Sequence, residues 1–153
     1  MSKRNEDVVK TCKALNEKGA KYVVVGAIAC NLHGLIRATK DLDLLIPRDV
    51  LNTGKVLEAL GDSLVFGIAR ELDAEEVSKK PFTIIGDTPR VDLLTVANRV
   101  KYEEAKEKSL VTRIDGVVIP YVDFQTLVKT KTTGRTQDKA DIERLTQILG
   151  KGR

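Results

Sequence analysis

Apolar and polar positions change period along the chain, and each change marks an element. Val8, Cys12 and Leu15 recur at helical spacing between Asn5, a capping residue with Glu6 and Asp7 after it, and Gly19, a stop, which predicts a first helix. Residues 22–25 (YVVV) read as a short buried strand, Gly26 as a tight turn, and the following stretch as a short helix carrying His33. The segment DLDLLI, residues 41–46, alternates with period 2 and is a second strand ended by Pro47. Val50, Val56, Leu57 and Leu60 line one face of a helix over 49–60, with Gly61 as its stop. A short edge strand over 64–68 and a helical turn capped by Asp73 and Glu76 come next.

Two strands, 81–85 and 90–96, are joined by the turn Gly86-Asp87-Thr88-Pro89, and a charged, solvent-facing helix spans 98–108. Residues 110–114 and 117–121 flank Asp115-Gly116, a hairpin signal. Asp123 caps a helix that runs through 132 and is broken by Gly134. A last helix over 137–149 packs through Ile142, Leu145, Ile148 and Leu149. No repeat or boundary divides residues 1–153, so one domain is expected. The longest apolar run, 22–30, is too short to cross a bilayer, and the start MSKRNED is too polar for a signal peptide. A cytoplasmic protein without a membrane partner is the expectation. Cys12 and Cys30 lie in apolar helical settings without CxxC spacing, which reads as two buried thiols.

Chemistry enters with the second strand. Period 2 sends Asp41 and Asp43 to one face and Leu42 and Leu44 to the other. Two carboxylates that close repel each other unless a cation sits between them. Oxygen ligands suit Mg²⁺ or Mn²⁺, and the thiolate and imidazole sets that zinc prefers are lacking. Asp92 interrupts an apolar strand, VDLLTV, where an acid is disfavoured. If that strand lies beside DLDLLI, cross-strand spacing brings a third carboxylate to the pair.

The net charge of +4 is concentrated late: from Lys129 onward, seven basic residues (Lys129, Lys131, Arg135, Lys139, Arg144, Lys151, Arg153) stand against three acids (Asp138, Asp141, Glu143). That bias favours a polyanion near the C-terminus, a triphosphate or a nucleic acid, while a solvated basic helix face is the alternative. Three Phe, three Tyr and no Trp make a poor single-strand stacking platform. Ile28 and Asn31 stand where a dinucleotide-binding fingerprint needs glycines, and neither a GxxxxGK loop nor a nucleophile elbow is present.

Gly26, the paired-Asp strand that follows it, the stretch HGLIRATKDLDLLI, Asp92 on a later strand and the closing segment LVKTKTTGRTQDKADIERL together resemble the DNA polymerase β superfamily of nucleotidyltransferases, in its small bacterial and archaeal form. The resemblance spans residues 22–149. It implies an α+β nucleotidyltransferase fold: a mixed β-sheet flanked by helices, with C-terminal helices. It also implies two divalent ions, Mg²⁺ or Mn²⁺, held by Asp41, Asp43 and Asp92. The implied reaction moves a nucleoside monophosphate from a nucleoside triphosphate to an acceptor hydroxyl of RNA, protein or a small molecule. In that family the glycine turn touches the triphosphate, which is the role implied for Gly26. Ala27 stands where the family usually has Gly or Ser, so only its backbone N–H can serve a phosphate.

Arg37, Thr39 and Lys40 before the paired Asp, and Lys131 and Arg135 in the closing segment, are the implied phosphate contacts, and Asp92 is the implied base for the acceptor hydroxyl. Members of this group include antibiotic-modifying enzymes and the toxin half of toxin–antitoxin pairs, so a cognate antitoxin or a helical partner is among the expected partners. Three other readings stay open. Lys131 or Arg135 could pair with Asp138 or Asp141, and His33 could be a satisfied helix histidine. The whole chain could be an inactive nucleotide- or partner-binding module of the same fold.

Overall fold

The computed structural model describes residues 3–34, 41–63, 67–86, 90–131 and 136–151. A six-stranded mixed sheet forms its centre. The strands are β1 (Val23–Val25), β2 (Asp41–Leu45), β3 (Phe82–Gly86), β4 (Arg90–Leu94), β7 (Leu110–Ile114) and β8 (Val117–Tyr121), and their order across the sheet is β3-β4-β2-β1-β8-β7. β1 runs antiparallel to β2 and parallel to β8, while β4 runs parallel to β2 and antiparallel to β3. The expected hairpin around Asp115-Gly116 is present, with Asp115 at φ 52° and Gly116 at φ 79°. A separate small ribbon is made by β5 (Val96–Ala97) and β6 (Val100–Lys101).

Helices flank the sheet and bury its apolar rows. They are α1 (Lys3–Glu17), α2 (Gly26–Leu32), α3 (Val50–Ser63), α4 (Ala74–Lys79), α5 (Tyr102–Glu107), α6 (Phe124–Lys131) and α7 (Thr136–Lys151). α1 packs on α3 and β8, α3 packs on α4, and α2 packs on β1, β2 and α6. Leu44, Leu45, Val23, Val24 and Ile119 are fully buried. Asn52 on α3 is buried too, and it is satisfied by gripping both backbone groups of Lys21: Lys21 N–H donates to its Oδ1 (2.7 Å) and its Nδ2 donates to the Lys21 carbonyl (3.0 Å). Cys12 and Cys30 are buried free thiols, and burial pushes Cys12 up to about 12, which makes it inert.

Several boundaries differ from expectation for local reasons. α1 already begins at Lys3, so Asn5 lies inside it rather than capping it. α3 runs past Gly61 to Ser63; a Cβ at Gly61 would meet the Arg70 side chain at 2.6 Å, so this glycine admits a close crossing and is not a stop. Of the expected edge strand, 64–66 lie outside the described residues, while Gly67–Glu71 is a short 3-10 helix. Asn98 and Arg99, read as helix, take φ 45° and 72° at the two-residue turn of the β5–β6 ribbon, and α5 starts only at Tyr102. Tyr102 and Ala105 are buried, so α5 is not wholly solvent-facing. The caps at Asp73 and Asp123 are present, accepting from Glu75 N–H and Thr126 N–H at 3.0 Å each. Among the described residues no helix is long and apolar enough to cross a membrane.

Candidate functional site

Strand register decides which side chains meet. In the parallel β2–β4 pair Asp43 stands opposite Asp92 and Asp41 opposite Arg90; β3 then sets Ile84 opposite Asp92, and β1 sets Val25 opposite Asp43. Residues directly opposite share a face, so one row across the sheet reads Ile84, Asp92, Asp43, Val25, and the next reads Gly86, Arg90, Asp41. Leu42, Leu44, Val91 and Leu93 alternate onto the other face and are buried. The three acids are thus brought to one face of adjacent strands, all half-buried. Phe82 and Ile84 lie on that same face along β3 and are about half exposed, an apolar ledge beside Asp92.

Gly26 closes the end of this row. Its φ is +69°, and a Cβ there would collide with Asp43 Oδ2. Glycine is required twice over, by backbone conformation and by the carboxylate pressed against it. Asp43 itself is pushed up to about 7, first by burial and then by the neighbouring Asp92 and Asp41 carboxylates, with Arg90 partly offsetting them. Its Oδ1 is buried without a hydrogen-bond partner among the described residues, an acceptor suited to a donor or a cation.

The residue that sequence reasoning missed is Arg90. Its Nε and Nη2 donate to Asp92 Oδ1 (2.8 Å) and Oδ2 (3.0 Å), a two-pronged ion pair, and its Nε lies 3.9 Å from Asp41 Oδ2. The signal was present: the period-2 rule that joins Asp41 to Asp43 joins Arg90 to Asp92 equally. With Arg90 seated in this way, no three acidic, His or Cys side chains among the described residues stand arranged as a metal-ligand set. The donor chemistry nevertheless fits an oxygen-seeking cation, because adjacent carboxylates with one unpartnered buried oxygen call for positive charge.

The other expected site residues divide. Arg37, Thr39, Lys40 and Arg135 lie outside the described residues. Ala27 is the second residue of α2, directly after Gly26. Lys131 does not reach an open surface: its ammonium is buried between α6 and α7, 3.0 Å from the buried carboxylate of Asp141, the pairing that stood as the alternative to phosphate contact. Lys129 pairs with Glu104 at 2.8 Å, so part of the late basic excess is already engaged within the fold. His33 follows α2, its Nε2 2.8 Å from the Val122 carbonyl oxygen and its ring edge-on to Tyr121, which is the satisfied-histidine reading. No protein-family model matches the chain, and no curated protein matches it either.

Proposed function

We propose that this chain is a metal-dependent nucleotidyltransferase with the nucleotidyltransferase fold, moving a nucleoside monophosphate from a nucleoside triphosphate to an acceptor hydroxyl. The observation that carries the reading is the register of β2 against β4, which sets Asp43 beside Asp92 on the face that also bears Asp41, with Gly26 made obligatory by Asp43. Acids placed in strands, where propensity disfavours them, and outnumbering the cation that faces them among the described residues are costly for stability alone. A catalytic demand accounts for them.

In this reading Asp41, Asp43 and Asp92 hold two Mg²⁺ or Mn²⁺ ions. When bound, the ions supply charge neutralisation at the triphosphate and make the acceptor hydroxyl more acidic. The acceptor oxygen forms a bond to the α-phosphorus as the bond to the bridging oxygen of pyrophosphate breaks. Asp92 receives the hydroxyl proton, and pyrophosphate leaves with the electron pair. The Ala27 N–H, Arg37, Thr39, Lys40 and Arg135 steady the phosphates, while Lys131 serves the packing of α7 through Asp141. The ledge of Phe82 and Ile84 takes the apolar part of the acceptor, next to the base.

The second reading, an inactive module of the same fold, is favoured by one observation: Arg90 already neutralises Asp92 from within the chain. Incubation with each α-labelled nucleoside triphosphate, Mg²⁺ and cell extract separates the two. Transfer of label that disappears in the D41N/D43N double variant is expected. Absence of transfer with every nucleotide, or equal transfer by the double variant, contradicts the enzymatic reading.

A further inference from the structure

We propose that Arg90 is the built-in counter-ion of the carboxylate pair, competing with a divalent cation for Asp92, so that arginine and cation hold this carboxylate in turn. The proposal rests on the nucleotidyltransferase reading and adds a gate to it. Both oxygens of Asp92 carry an Arg90 N–H, at 2.8 and 3.0 Å, and the same guanidinium leans toward Asp41 at 3.9 Å. It therefore reaches two of the three acids and leaves Asp43 Oδ1, which faces Asp92 across the β2–β4 pair, without a hydrogen-bond partner among the described residues. A cation entering between Asp43 and Asp92 meets a positive guanidinium on the very oxygens it needs, and the two charges repel across a few ångströms.

Arg90 has somewhere to go. It opens β4, and its side chain is about a third exposed, so rotation about its long stem carries the head into solvent without unpacking the core. Once displaced, it remains on the face of Asp41 and Asp43, with its backbone directly opposite Asp41 in the β2–β4 register. A planar fork of donors there suits the oxygens of a nucleotide phosphate, whose charge the displaced arginine then meets. Loading of the cation thereby releases a phosphate ligand, and between turnovers Asp92 keeps a counter-ion.

Competition and simple orientation give opposite signs. If Arg90 competes, R90Q binds Mn²⁺ more tightly than the unaltered protein, by about tenfold or more, read as loss of the free-ion signal in electron paramagnetic resonance. If Arg90 only orients Asp92, R90Q binds Mn²⁺ more weakly; weaker or equal binding overturns the proposal and leaves the nucleotidyltransferase reading standing. Failure of both proteins to bind Mn²⁺ at millimolar concentration, with D43N no different, overturns both. The unaltered chain supplies a readout independent of the variant's folding. Titration with Mg²⁺ is expected to shift the Arg90 Nε–H resonance and speed its exchange with water as the ion pair opens, whereas an unmoved, protected resonance at saturation contradicts the exchange.

Discussion

Two clusters of buried charge in this protein are built in opposite ways. Lys131 and Asp141 form an ion pair of opposite charges, 3.0 Å apart, with side chains only 9% and 3% exposed, joining α6 to α7. Among the described residues Asp41, Asp43, Asp92 and Arg90 set three acids against one base, and Asp41 and Arg90 remain 40% and 36% exposed. A balanced, closed pair is what structure needs, since each charge satisfies the other. An unbalanced, open cluster carries more negative charge than the described cations beside it offset. That surplus points to a ligand.

Removing one acid from each cluster breaks the comparison most sharply. Asp141→Ala strands the Lys131 ammonium in the interior and is expected to cost about 3–5 kcal/mol in denaturant unfolding. Asp43→Asn relieves repulsion and is expected to leave the metal-free protein as stable or more stable, while abolishing label transfer. Equal destabilisation by the two variants would place both clusters in the structural class.

Gly26→Ala comes next. The left-handed backbone and the contact with Asp43 together are expected to cost about 1–3 kcal/mol, and displacement of Asp43 should remove activity as well. A stable, fully active variant would show that Gly26 does not shape the cluster.

Dependence on pH separates the clusters further. The Asp43 carboxyl, raised from 3.8 to about 7, keeps its proton in the folded chain over a range where the unfolded chain has lost it. Its contribution to stability is therefore full below pH 3.8 and is lost as pH rises through about 7. Metal-free protein should melt several degrees lower at pH 8 than at pH 5 when compared with Asp43→Asn, and Mg²⁺ at pH 8 should recover the lost stability. Parallel melting of the two proteins across this range would remove the repulsion that the comparison rests on.

The smallest effect on stability is expected at the ledge. Phe82→Ser with Ile84→Ser changes exposed side chains and should move folding by no more than about 0.5 kcal/mol per site, yet raise KM for the acceptor and leave that for the triphosphate unchanged. An unchanged acceptor KM would remove the ledge from the site.

Much of this site is legible in the sequence, because strand alternation is a local rule. It places Asp41 with Asp43, and an Asp in an apolar strand announces a partner across the sheet. The same rule joins Arg90 to Asp92, whereas the late charge bias points to Lys131, whose burial depends on how α7 packs. The reason for Gly26 was not legible either, since its contact with Asp43 joins residues 17 apart through the β1–β2 register. Asn98 and Arg99 contain none of the glycine that usually marks a two-residue turn, so their ribbon was read as the start of a charged helix. Gly61 read as a stop because its close neighbour, Arg70, comes from a later segment.

The surplus of acid over base is tested most directly by a crystal structure of the protein with Mn²⁺ and a non-hydrolysable nucleoside triphosphate, with the ion located by anomalous scattering. The account predicts anomalous density within bonding distance of Asp43 and Asp92 and the Arg90 head turned away from Asp92. A map without such density, with both Arg90 hydrogen bonds to Asp92 intact, would contradict it.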